Sequence, residues 1–467
     1  MMRALFAGVA GLKTHQTRMD VIGNNIANVN TTAYKSQSMV FSDLMYQTTQ
    51  AASGANAQTG VGGINARQIG LGSKTGAIKT AITTQGASQS TNDPFDIMIT
   101  GEAFFIVNNG SENLFTRDGS FYIDGAGNLA MTSTGYNVMG WQVDPADDSG
   151  MNIKKDTVSP LKIMTTENMT YPPEATTLAR VAGIVDKNDT NVSSDAGKIM
   201  NLDFYDDQGY KYTAKLSLHA IDKDAGTFYV KLDDVLDAKG ASVVPAGTNI
   251  EDIIKFNEGG AEVKDKDGNV VTNAALLTYD NTNKGAFKGI NADGNKAVSL
   301  KFDATTFPAF KEISIDFSGT QNLNNNNSST ITPLRGDAEG NGAGRKVGGM
   351  SGISIQKDGK IFATYDNGMR KLVGQIAVAT FANASGLAKE GDNLYSATQN
   401  SGDFDGIGQD ITDDGTGYMN TGVLEMSNVD LASEFTEMIT TQRGFQANSR
   451  IITVSDTLLE ELTNLKR

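Results

Sequence analysis

Leu431-Ala432-Ser433-Glu434-Phe435-Thr436-Glu437-Met438-Ile439-Thr440-Thr441-Gln442-Arg443-Gly444-Phe445 opens the stretch that decides the architecture. Leu431, Met438, Phe445, Ile452 and Leu459 recur every seven residues, and Phe435, Gln442, Ser449 and Asp456 fill the alternate positions. That period describes an apolar seam along a long helix that packs on another helix. Ser427 or Asn428 can cap its start, Asp430 and Glu434 stand by its positive end, and Lys466 and Arg467 by its negative end. Over 428–465 it would be about 55 Å long. The other end of the chain repeats the pattern: Leu5, Leu12, Met19 and Ile26, with Val9, Gln16 and Gly23 between them. Nothing between the two ends does so. The two seams are therefore expected to pack on one another or on neighbouring copies, with Gln16 and Gln442 fixing register at a cost in stability. Gly8, Gly11, Gly23 and Gly444 weaken the isolated helices, so they are expected to order largely on association.

Moving inward, Asn24-Asn25-Ile26-Ala27-Asn28-Val29-Asn30-Thr31-Thr32-Ala33-Tyr34-Lys35 reads as a helix stop, because short polar side chains bond to local backbone. Residues 48–76 are rich in Gly, Ala, Gln, Ser and Thr and read as a flexible or extended connector. From 77 to 145 the pattern turns to short strands around Ile97, Ile99, Phe105 and Val107. Asp118-Gly119, Asp124-Gly125 and Gly127-Asn128 supply the turns. Further strands are expected at 199–205, 211–220, 227–232, 297–302 and 312–317, then at 352–355, 361–365 and 374–381. The fold class is mixed and mainly β, with nested, discontinuous domains. Residues 1–30 plus 428–467 form a terminal helical coiled-coil domain and 31–76 a Gly/Ser/Asn-rich connector. Residues 77–145 plus 350–427 form a β-rich domain, and 146–349 an inserted all-β domain.

Composition removes whole classes of function. The 467 residues contain Cys 0 and His 2, which excludes disulfides, thiolate zinc sites and cysteine nucleophiles. Asp+Glu 54 against Lys+Arg 39 gives a net charge of -15, contrary to what nucleic acid or an anionic membrane requires. No apolar run approaches the ~20 residues of a membrane span. Arg3 and the apolar run to Leu12 imitate a signal peptide, yet Lys13, His15 and Arg18 follow without a small-residue cleavage site. Gly70-Leu71-Gly72-Ser73-Lys74-Thr75-Gly76 lacks the Gly-Lys-Ser/Thr ending of a phosphate loop. Asp265-Lys266-Asp267-Gly268-Asn269 has its glycine too early for a calcium loop and reads as a hairpin turn. No catalytic, cofactor or metal site is expected, and the chain is not read as an enzyme.

Three stretches carry a resemblance. The Asn24–Lys35 run is similar to the N-terminal signature of bacterial flagellar rod and hook proteins. Phe104-Phe105-Ile106-Val107 and Phe115-Thr116-Arg117-Asp118-Gly119-Ser120-Phe121 resemble the β-domain motif of that family, with Asp118 in place of a small residue, as Ala33 in the N-terminal run stands where Gly is common. Leu424-Glu425-Met426-Ser427-Asn428-Val429-Asp430-Leu431 and Gln442-Arg443-Gly444-Phe445 resemble its C-terminus. The markers are thus Asn24, Asn25, Ala27, Asn28, Asn428, Val429, Gln442 and Arg443. Within the family the large insert favours the hook branch over the distal rod. The resemblance implies a subunit of the bacterial flagellum, exported without a cleaved signal peptide and polymerising helically with itself. Terminal helices would form an inner tube, the 77–145 plus 350–427 domain a middle shell and the insert an outer one. Rod, hook-cap and hook–filament junction proteins, the export apparatus and its chaperones are the implied partners, with no nucleic acid and no membrane insertion. A monomeric, β-rich extracellular binding protein is the alternative from another class.

Overall fold

Two helices bracket the chain in the computed structural model, which describes residues 2–54, 58, 60, 62–146, 150–245, 247–258, 260, 262–413 and 417–465. The first spans Met2–Ala27 and the second Leu431–Asn464. With 26 and 34 residues, they are about 39 and 51 Å long. Asp430 caps the second helix, its Oδ1 accepting from the amides of Ala432 at 2.9 Å and Ser433 at 3.4 Å. Asn428 and Ser427 are therefore not the cap. Lys466 and Arg467 lie outside the described residues. Everything else is mainly β, and no described helix is long and apolar enough to cross a membrane.

The chain forms two compact units. One comprises Met1–Asn168, Gly352–Thr364 and Arg370–Arg467, and the other Met169–Ser351 and Tyr365–Met369. The insert thus begins later than residue 146. The reason is local: Asn137–Gln142 pairs with Ser159–Pro160, and Val143 bridges Ile153. Ile153 and Val158 pack on the core of the first unit, so 150–168 belongs there.

In the first unit, strands Arg370–Ile376, Asn137–Gln142, Phe104–Asn108, Asn113–Thr116 and Leu394–Ser396 lie side by side, antiparallel throughout. Their inward residues bury Phe104, Ile106, Phe115, Met139, Trp141 and Tyr395. The indole N–H of Trp141 is satisfied by the carbonyls of Ile407 at 2.9 Å and Asp156 at 3.1 Å. Two outlying pairs join this β-domain to the chain ends: Gly417–Thr421 on Ile97–Gly101, and Val423–Glu425 on Ser88–Ser90.

The segment read as a connector is a long β-hairpin. Gln37–Asp43 pairs antiparallel with Ser73–Thr80, and Tyr46–Gln50 with Arg67–Gly70. Sequence reading missed it because its strands bury almost nothing within the subunit, leaving no apolar alternation to detect. Its base lies against the first helix, where Gly72, at φ +129°, leaves room for Ala10.

The second unit is built on one large sheet whose main path runs Lys198–Tyr205, Lys211–Asp222, Thr227–Leu236, Ala274–Asp280, Ala286–Ile290, Ile313–Asn322, Leu178–Val185 and Thr332–Arg335. Only Leu178–Val185 and Ile313–Asn322 run parallel along this path. Leu202, Phe204, Leu216, Leu218, Phe228 and Phe317 fill its core. The Asn-rich 322–329 run is an ordered loop wrapped round two buried carboxylates. Asp186 Oδ2 accepts from the amides of Asn325 at 2.7 Å and Asn327 at 2.9 Å, and Asp189 Oδ2 from that of Ser329 at 2.7 Å. Burial alone would raise these two carboxyls, but the converging amides hold both below the ordinary aspartate value.

Candidate assembly interface

The terminal helices pack antiparallel, and glycine sets their closest approach. A methyl on Gly8 would stand 3.3 Å from Ile452 Cγ1, and one on Gly11 2.8 Å from the Asn448 amide nitrogen. One on Gly444 would stand 2.6 Å from His15 Cε1. Farther along, Arg18 pairs with Glu437 at 3.0 Å, and the Asn25 amide donates to Glu434 Oε1 at 2.9 Å. The contact row is therefore Gly8, Gly11, His15, Arg18 and Asn25 against Ile452, Asn448, Gly444, Glu437 and Glu434. Apart from Ile452, it is made of glycine and polar or charged residues.

This row is offset from the apolar rows read in the sequence. Leu5, Leu12, Met19 and Ile26 are half-buried, as are Met438, Phe445, Ile452 and Leu459, while Leu431 is exposed. The expected alternate positions Val9, Gln16 and Gly23 face outward, and so do Phe435, Gln442, Ser449 and Asp456. On the second helix the alternate row is instead Glu434, Thr441, Asn448 and Ser455, one residue earlier, with Thr441 and Ser455 buried. The outcome is a helix pair with large uncovered apolar surface: Phe6 is 62% exposed, Val9 48%, Phe435 50%, Ile439 53% and Val454 56%. Ile451, Leu458 and Leu462 extend it.

The seam also holds polar atoms with no partner among the described residues: His15 Nδ1, Thr441 Oγ1 and Glu434 Oε2. Burial, and then the neighbouring Arg18, hold the His15 imidazole below its usual pKa of 6.5. Burial pushes the Glu434 carboxyl up from its usual 4.5, against the hydrogen bond from Asn25. Each buried polar atom left without a partner costs the seam free energy.

The motif asparagines work at the end of this pair. Asn24 donates to the Tyr34 hydroxyl at 3.1 Å. Asn25, fully buried, donates to the Gln37 carbonyl at 2.7 Å and accepts from the Gln37 amide at 2.9 Å. Asn28 donates back to the Asn24 carbonyl at 2.9 Å. Asn428 accepts from the Ser36 amide at 2.7 Å and donates to the carbonyls of Ala81 at 2.9 Å and Thr84 at 3.0 Å. Ala33, where the family resemblance leads one to expect Gly, sits at φ +56°, the backbone region glycine favours. Val429 is half-buried, while Ala27, Gln442 and Arg443 are exposed. Beneath them lies a cluster that the sequence did not single out. Lys35 Nζ is 2.7 Å from Glu425 Oε1 and Arg117 Nε 3.2 Å from Glu425 Oε2, and all three side chains are buried. Lys35, Glu425 and Arg117 each stood inside a motif stretch, but burial of a charge leaves no mark in one sequence.

Comparison with known proteins gives the same distribution of markers. The flagella basal body rod protein profile matches residues 5–35, the flagellar hook protein FlgE/F/G D1 domain profile 98–178, and the flagellar basal body rod FlgEFG protein C-terminal profile 420–465. Flagellar hook protein FlgE of Treponema pallidum is 33% identical to the chain over 485 aligned positions, covering 100% of both. That of Borreliella burgdorferi is 34% identical, again over 100% of both chains. Flagellar basal-body rod protein FlgG of Bacillus subtilis is 28% identical over the full length of each. Likeness to hook proteins at this identity, unbroken from end to end, places the chain in the flagellar hook protein FlgE family.

Proposed function

We infer that the chain is the structural subunit of the flagellar hook, polymerising helically into a short curved tube that joins rod to filament and transmits torque. The observation that carries this reading is the terminal helix pair. Its closest approach is made by glycine and polar side chains, whereas five of its large apolar side chains, Phe6, Val9, Phe435, Ile439 and Val454, stay uncovered. A lone subunit gains nothing from that surface, while copies stacked in a helical array bury it through repeating, non-closing contacts. The terminal helices then line an inner tube, with the β-domain around them. The role is mechanical rather than catalytic. The tube stands outside the cell body, with rod, cap and junction proteins at its ends and an export apparatus delivering subunits.

Electron microscopy of the purified full-length protein tests this. Curved tubes of uniform diameter are expected, and a chain lacking both terminal helices should remain dispersed while keeping its β structure. Straight rods would favour the distal rod instead. Tubes formed without the helices would show that the helices do not drive assembly.

A further inference from the structure

Only two stretches of chain lead into and out of the β-domain from the helix-and-hairpin part of the first unit: residues 81–96 and 421–430. A third stretch, 31–36, leaves the first helix and lies across both. The Ala33 amide donates to the Glu425 carbonyl at 2.8 Å, and the Ala81 amide to the Ser36 carbonyl at 2.9 Å. The Met426 amide donates to the Ala87 carbonyl at 2.8 Å. The backbones touch so closely that a methyl on Gly86 would fall 1.8 Å from the Met426 carbonyl oxygen.

Four side chains staple this crossing. Lys35 Nζ donates to the Thr84 carbonyl and to Glu425 Oε1, both at 2.7 Å. Glu425 Oε1 also accepts the Gly86 amide at 2.9 Å. Asn428 ties Ser36 to Ala81 and Thr84. Arg117 anchors Glu425 to the β-domain, since its guanidinium also donates to the carbonyls of Ala103 at 2.6 Å, Gly101 at 2.7 Å and Ile99 at 3.3 Å. Charge-assisted bonds in a dry site are short-ranged and directional, so they resist shear where an apolar contact would slide.

We propose that this crossing is the mechanical neck of the subunit, and that Glu425, held by Lys35 from the N-terminal side and Arg117 from the β-domain, carries force between the terminal helices and the β-domain. The proposal rests on the hook reading, which supplies the force. It assigns rigidity to the neck and compliance to the glycine-lined helix seam.

The test compares full-length wild type with Glu425→Gln, which keeps the side-chain volume and removes the charge. Asn428→Ala is the second variant, since it weakens the same crossing without orphaning a buried cation. Tubes are expected from all three, because the apolar helix faces are untouched. Within the tubes, hydrogen exchange at the amides of 81–87 and 424–428 should rise at least tenfold in both variants, with exchange at 104–107 unchanged. Cells carrying either variant should swim within about twofold of wild type in dilute medium and lose at least fivefold in viscous medium, where the torque on the hook is high. Wild-type exchange rates in the neck of both variants, or equal motility loss in dilute and viscous media, would overturn the neck. Failure of the wild type itself to form tubes would instead overturn the hook reading.

Discussion

Lys35 Nζ and Glu425 Oε1 lie 2.7 Å apart, with both side chains at 1% exposure or less, although 390 positions separate them in the chain. Removing Glu425 strands two buried cations, Lys35 and Arg117. Glu425→Ala is therefore expected to cost the first unit about 3–5 kcal/mol, the usual penalty for breaking a buried pair from one side. Trp141, the sole tryptophan and part of the β-domain core, reports the loss as a lower denaturation midpoint. Lys35→Met combined with Glu425→Gln should lose less than Glu425→Ala alone. A midpoint unmoved by Glu425→Ala would show that the cluster contributes nothing.

Gly444 is expected to tolerate no side chain. Alanine there gains about 1 kcal/mol of helix propensity, yet its methyl would stand 2.6 Å from the His15 ring, itself edge-on to Phe41 at 5.4 Å. Gly444→Ala should therefore lower the melting temperature of the terminal helices in circular dichroism. His15→Ala should reverse the sign of that change, as a double-mutant cycle would reveal.

Two groups in the same seam respond to acid with opposite sign. His15 is held below 6.5 in the folded chain, chiefly by burial and then by Arg18, so the unfolded chain binds its proton first. Stability is thus fully present above about pH 6.5 and falls as pH drops through the folded value. Glu434 acts oppositely: its raised pKa costs stability at neutral pH and is relieved on acidification. In Glu434→Gln, helix protection should therefore fall from about pH 7 to about pH 5. In Glu434→Gln with His15→Gln it should stay flat. Hydrogen exchange of the terminal helices at the two pH values decides this.

Assembly and subunit stability should separate at the exposed apolar surface. Phe435→Asp and Val9→Asp are expected to abolish tubes, while the Trp141 unfolding transition moves by no more than about 0.5 kcal/mol, as for surface substitutions. Sedimentation measures the first and fluorescence the second. Variants that polymerise normally would remove these side chains from the interface.

In the insert, Asp186 and Asp189 should confer acid sensitivity. Both are held below the ordinary 3.8 by backbone amides despite burial, so their contribution is present above that value and lost as pH falls through the folded value. Asp186→Asn should lower the insert's melting temperature at about pH 7 and narrow its difference from wild type at about pH 3. Scanning calorimetry at the two pH values tests it.

The outline of this fold was open to sequence reading because long periods survive averaging. The sevenfold rows located both terminal helices, and turn dipeptides such as Asp124-Gly125 separated the strands of the β-domain. Strands expected at 199–205 and 297–302 form at Lys198–Tyr205 and Ala297–Phe302. The interface was harder. Reading Phe435 and Gln442 into the seam treated spacing as contact, whereas Gly8, Gly11 and Gly444 bring the backbones together and leave Phe435 and Ile439 facing outward. The hairpin was hidden because Gln47, Thr48 and Gln68 carry no alternation. Lys35–Glu425 was hidden because a pairing across the whole chain has no local trace.

The insert's first and last segments are zipped together. Thr170 pairs with Gly349, Tyr171 with Gly348, and Glu174 bridges Arg345, whose guanidinium also ion-pairs with its carboxylate. Both ends of roughly 180 intervening residues are thus fixed at strand spacing, and loop-closure cost grows only slowly with the length between them. The module can therefore be enlarged, trimmed or exchanged without disturbing its attachment. Its size becomes a free evolutionary variable, set by what meets the module's own surface rather than by the fold that bears it.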